Sequence, residues 1–146
     1  MQRTLPLILV TSILGSCCSK RPGLVKHVVP VGFSGPMAIV EAGDVVGGAG
    51  LPMADSTEEL VWEDNGVLLM RDWERVSRGK NHRFEDAAGT SAIGQSLGSS
   101  VHGSGDHSVH VFWLYCGPKQ DAQEFMRSGG STKAEWLKRH RVPMPD

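Results

Sequence analysis

The sequence predicts an α+β fold, mainly β, in the form of a small antiparallel sandwich-like sheet followed by one or two C-terminal helices. Three observations lead there. Glycine reaches 18 and proline 8 of the 146 residues while hydrophobic residues make up 40%, a profile of short strands and many turns. Several short runs are rich in β-branched and apolar residues and are bounded by Gly, Pro or Asn. Helical periodicity sets in only after Pro118.

The first residues do not belong to that fold. Arg3 gives a positive start, residues 5–14 form an apolar run, and Gly15 and Ser16 are small, which are the three parts of an export signal. The run is too short for a hydrocarbon core that needs roughly 20 helical residues, and Pro6 interrupts it, so a permanent transmembrane helix is not expected. The quartet Leu14-Gly15-Ser16-Cys17 resembles the lipobox of bacterial lipoproteins, in which an aliphatic and two small residues precede a cysteine. That resemblance implies lipidation of the Cys17 sulfur and cleavage after Ser16. Cys18 stands where, in that group, an aspartate would favour the inner membrane, so the resemblance implies the periplasmic face of the outer membrane. Residues 1–16 are thus expected to be a signal peptide, 17–23 a lipidated cysteine with a polar tether, and 24–146 a single domain.

Charge narrows the partners. Without Arg3 the chain carries 14 basic and 16 acidic residues, so its side chains sum to about −2 with histidine neutral. Such a balance does not point to nucleic acid. The expected partners are the membrane, through the anchor, and an envelope protein or polymer. Three cysteines do not make a disulfide framework. With Cys17 lipidated, Cys18 and Cys116 could pair only if the tether folds back, and Cys116 reads as a small buried hydrophobe at a strand end.

In chain order, residues 24–29 are β-branched and form a first strand, ended by Pro30 and Gly32. Residues 37–41 form a second, and the turn between them predicts an antiparallel hairpin. Gly47-Gly48-Ala49-Gly50 lacks the Gly-Lys-Ser/Thr of a phosphate loop and the spacing of a dinucleotide fingerprint, and reads as a surface loop. Val61-Trp62 is a short strand, Asp64-Asn65-Gly66 a turn, and residues 67–70 a buried strand. Asp72-Trp73-Glu74-Arg75 reads as a strand continuation, and residues 79–108, dominated by Gly, Ser, His and Asp, as a long mobile excursion. Residues 107–115 make the clearest strand, apolar on both faces and so central. Pro118 opens a helix with Ala122, Phe125 and Met126 as its apolar stripe, and Thr132 with Glu135 fits a capping box for a last helix bearing Trp136 and Leu137.

Three of these segments, residues 29–35, residues 65–69 and Val111-Phe112-Trp113-Leu114-Tyr115-Cys116-Gly117, together resemble an uncharacterised group of small bacterial secreted and lipoprotein domains of unknown function. The resemblance implies a compact β-domain with turns at Pro30, Gly32, Gly35 and Gly66. It supplies no catalytic residues.

Candidate chemistry concentrates between residues 79 and 110. His82, His102, His107 and His110, with Asp86 and Asp106, raise a metal or small-ligand site, most compactly His102, Asp106, His107 and His110. On a strand, His107 and His110 would point to opposite faces, and solvated loop histidines are the alternative. Ser104 lacks a nucleophile elbow, and Ser104, Asp106 and His107 are too close in sequence to converge as a triad, so a hydrolase is the least favoured class. The basic end at Lys138, Arg139 and Arg141 fits either interaction with a helix C-terminus or contact with an anionic surface. The expectation is a non-enzymatic, lipid-anchored envelope domain with no cofactor beyond the lipid at Cys17.

Overall fold

The computed structural model describes residues 23–43, 50–78 and 81–145. The export signal, the lipobox quartet, Cys18 and most of the glycine-rich loop at 44–49 lie outside the described residues.

The described chain is mixed α+β and mainly strand, with two sheets and C-terminal helices, as expected. Seven strands are present among the described residues: β1 (Val25–Val29), β2 (Gly35–Glu41), β3 (Glu59–Val61), β4 (Val67–Met70), β5 (His82–Asp86), β6 (Gly94–His102) and β7 (Val109–Cys116). A short helix α1 (Trp73–Ser77) follows β4, and α2 (Lys119–Arg127) and α3 (Gly130–Arg139) close the chain. One sheet has the order β3-β1-β5 with both pairings parallel; the other has the order β4-β2-β7-β6, in which only β2-β7 and β7-β6 are antiparallel.

The four-stranded sheet is the middle of three layers. Alternation along β2 sends Met37 and Ile39 into one core and Ala38 and Val40 into another. Strand β7 does the same with Phe112, Leu114 and Cys116 against Val109, Val111 and Trp113. The first core lies under the three-stranded sheet and α1, with Val25, Val29, Leu60, Trp62, Phe84 and Trp73. The second lies under the helices, where Phe125 and Trp136 meet Trp113 edge-on, with ring centroids 5.2 and 5.4 Å away. The outer face of the three-stranded sheet is polar: Lys26 Nζ reaches Glu85 Oε1 at 2.7 Å and Glu59 Oε2 at 3.6 Å.

Several local expectations are corrected. Strands β1 and β2 do not form a hairpin, because the turn closed by Phe33 N–H donating to the Pro30 carbonyl carries the chain from one sheet to the other. Both edges of β1 are taken by β3 and β5, while β2 needs a central position to bury both faces. The segment after β4 is helical rather than extended: Trp73 and Val76, three apart, share a helical face and are both buried, whereas a strand would point them to opposite sides. The stretch at 79–108 holds β5 and β6, which recruit poor strand formers through pairing with β1 and β7. His107 lies in a 3-10 turn (Gly105–His107), so the strand after it starts at Val109. Met126 is 49% exposed and leaves the apolar stripe of α2. Helix α3 begins two residues before Thr132 with Gly129 as its cap, so no capping box forms.

The turn at Asp64-Asn65-Gly66 is formed as expected. Gly66 has φ +68°, and a Cβ there would stand 3.0 Å from the Pro36 carbonyl and 3.2 Å from the Phe33 ring, so the position requires glycine.

Candidate functional site

The inward face of β1 reads Val25, His27, Val29, and the middle residue is the only polar side chain in the described core: His27 has 0% exposure. Burying an imidazole without partners would be costly, so its hydrogen bonds decide what it is. Trp62, just beyond β3, points its indole Nε1 at His27 Nδ1 across 3.1 Å. His82, opening β5, places its Nδ1 at 2.9 Å from His27 Nε2. Phe84 stacks on the His27 ring at 4.7 Å, and Phe112 from the other sheet meets His82 at 5.6 Å. The parallel register that sets His27 opposite both Leu60 and Phe84 produces this convergence.

Donor chemistry then fixes the protons. An indole N–H can only donate, so His27 Nδ1 accepts; a neutral His27 therefore carries its proton on Nε2 and donates it to His82 Nδ1. Every lone-pair nitrogen facing into this trio is already an acceptor, and a further proton on His27 Nδ1 or His82 Nδ1 breaks a hydrogen bond. Burial, with a smaller contribution from the neighbouring His82, lowers the His27 pKa from 6.5 to about 3. The trio thus cross-links the three strands of the parallel sheet through a neutral, tautomer-fixed His27, and the Phe112 ring against His82 joins it to the central sheet.

Above Trp62, the carboxyl ends of the parallel strands frame an open cleft of about 540 Å³, with Val28, Pro30 and Val61 on its walls and Glu63, Asp64 and Asn65 along its rim. Residues 23 and 24 lead into β1 at the opposite end of the sheet, since β1, β3 and β5 all run the same way.

The histidines singled out in the sequence are placed apart. His102 stands opposite Val109, on the helix side of the central sheet, where its Nε2 lies 2.8 Å from Ser100 Oγ. Ser100 in turn accepts from the Trp113 indole at 2.7 Å. Burial and Lys133 lower the His102 pKa. His110 faces the other way, against the Trp73 ring and 3.9 Å from Glu41 Oε2. Asp106 and His107 are exposed in the 3-10 turn. Among the described residues no group of three His, Cys, Asp or Glu side chains comes together to hold a metal ion. His82 belongs with His27 rather than with His102 or His110.

His27 itself was not a sequence candidate. The one available signal was its place between Val25 and Val29 on an alternating strand. At the basic end, α3 stops in a Schellman arrangement: Val142 N–H donates to the Leu137 carbonyl and Arg141 N–H to that of Lys138, with Arg141 at φ +67°. Lys138 pairs with Glu135 at 3.7 Å, and Asn65 donates to the His140 carbonyl at 3.2 Å, tying the cleft rim to this helix end. Cys116 is buried with its thiol pKa raised by desolvation, as befits a packing residue.

No family model and no curated protein matches this chain. Its fold is similar to a solved structure from Bacillus anthracis, "Putative Lipoprotein", at 13% identity and a TM-score of 0.44, with 80% of this chain and 92% of that one covered. At that level the likeness assigns neither activity nor partner. No helix among the described residues is long and apolar enough to cross a membrane.

Proposed function

We propose that this chain is an exported protein anchored by lipid at Cys17, whose folded part is a non-enzymatic domain that meets another envelope component. The observation that carries the reading is Leu14-Gly15-Ser16-Cys17 at the end of the apolar run. Two or three acyl chains, each buried methylene contributing about 0.8 kcal/mol, hold such a protein on a bilayer durably. Two features of the fold support the second half. Residues 23 and 24 enter β1 at the end of the parallel sheet opposite the cleft, which suits a chain anchored on its N-terminal side with the cleft left open to a partner. The buried His27 has both nitrogens engaged and no exposed surface, which suits a locking element and not a proton carrier for a bound molecule. Metabolic labelling with a palmitate analogue tests the anchor: wild type is labelled and Cys17→Ala is not. Equal labelling of both overturns it.

A further inference from the structure

A sheet edge is a row of backbone donors and acceptors ready to pair with another strand, and natural edges are blunted by charges, by proline or by covering chain. The four edges here can be compared. The outer side of β4 is covered by residues 52–54, with Leu69 N–H donating to the Pro52 carbonyl and Ala54 N–H to that of Leu69. Strand β5 carries Arg83, Glu85 and Asp86, and residues 90–92 fold back on it through Asp86 N–H to Thr90 and Ala92 N–H to Phe84. Strand β3 is three residues long and includes Glu59. Strand β6 is the longest in the described chain at nine residues, contains no Asp, Glu, Lys, Arg or Pro, and pairs on one side only, with β7. Among the described residues β6 is therefore the edge that has neither a charged deterrent nor a covering segment hydrogen-bonded along it, whereas β3, also unpaired on its outer side, is short and charged.

We propose that β6 pairs antiparallel with β6 of a second copy of this chain, joining two four-stranded sheets about a twofold axis. A strand that meets itself places any charge it bears near the same charge on its copy, so an uncharged edge is what self-pairing requires. The β-bulge between Ser96 and Gly98, with Gly98 at φ +115°, confines the regular part to Gly98–His102. Within that part Ser99 and Val101 are exposed, Val101 by 57%, on the face away from the helices. His102 completes the strand, and its burial, with Lys133 nearby, lowers its pKa and so disfavours its charged form.

Lipid anchoring would itself gather copies on one surface, so the test uses the full chain with Cys17→Ala in nonionic detergent, and its outcome is separate from that of the labelling experiment. Sedimentation over a wide concentration range is expected to show one copy passing to two. Ser99→Lys with Val101→Lys should raise the dissociation constant at least about tenfold, as should Ser99→Glu with Val101→Glu, because like charges then face each other. Mixing the Lys and Glu variants should restore pairing, which a folding defect would not do. A wild type that stays single throughout, charged variants that pair as well as wild type, or a mixture that does not recover would each overturn the proposal.

Discussion

Acid should loosen the three-stranded sheet through His27. In the folded chain this ring is neutral, with a pKa of about 3, while in the unfolded chain it returns to 6.5. Between those values the unfolded state binds the extra proton, so stability falls as pH falls, starting near 6.5 and continuing towards 3. Each pH unit in that window removes about 1.4 kcal/mol, so by two units below the start the loss is about 3 kcal/mol and its upper bound over the window is about 5 kcal/mol. Against a total of about 5–15 kcal/mol for a domain, that decides whether the fold survives mild acid. The comparison is with His27→Gln, which keeps a donor and an acceptor but does not titrate. Urea midpoints of the full chain at constant ionic strength are read from slightly alkaline to mildly acidic pH. At the alkaline end the variant should be less stable by about 1–3 kcal/mol, since glutamine cannot reach both Trp62 Nε1 and His82 Nδ1 as the ring does. Wild type should then lose stability faster on acidification, so that the curves meet near about pH 5. Carboxylates and the histidines away from this cluster act on both chains and cancel in the difference, whereas His82, hydrogen-bonded to His27, belongs to the change being read. Parallel curves below pH 6.5 would refute the assignment of His27 as a buried neutral ring.

Three further outcomes follow from single contacts. Ser100→Ala leaves the Trp113 indole N–H without its acceptor and should cost about 1–3 kcal/mol, with Ser100→Thr recovering most of it, as read from urea midpoints. Gly94→Ala would drive a Cβ into the Phe84 ring, costing about 1–3 kcal/mol, and Phe84→Leu in the same chain should relieve part of that loss. Arg141→Gly relaxes the left-handed residue after α3 and should stabilise by about 1 kcal/mol, seen as a rise of a few degrees in Tm; no rise would mean that the Arg141 side chain contributes as much as its backbone costs.

How much of this was legible in the sequence depends on where each element finds its energy. Strands β2, β4 and β7 bury both faces, so their apolar runs announce them, and Gly66 announces its turn because few residues tolerate its φ. Strand β5 offers one buried side chain, Phe84, in His-Arg-Phe-Glu-Asp, and β6 is largely Gly and Ser. Their stability comes from ladders with β1 and β7, with partners 57 residues apart for Val25 and His82, 15 for Gly98 and Trp113 and 11 for Ser100 and Val111, and no local pattern encodes them. The expected β1-β2 hairpin failed for the same reason, since a turn signal says that the chain reverses but not that the flanking strands share a sheet.

The histidine trio carries this argument to its limit. Trp62 and His82 are 35 and 55 residues from His27, and each hydrogen bond exists only because β3 and β5 flank β1 in one particular register. A slip of one residue in β1 would turn Lys26 into the core and His27 to solvent. The same slip would break the outer pairs of Lys26 with Glu59 and Glu85 and leave the Trp62 indole without its acceptor. The two faces of β1 thus enforce one register together: charge on the outside, where pairs are screened and individually weak, and a neutral hydrogen-bonded ring on the inside, where an unpaired group is most costly. On that balance the inner face should dominate, so replacing Lys26 by Met is expected to change stability less than Trp62→Phe, which removes the donor to His27 together with part of a buried ring and is expected to cost at least about 1–3 kcal/mol. If the Lys26 change proved the larger in paired urea titrations, the outer ladder and not the buried histidine would be what holds the three-stranded sheet in place.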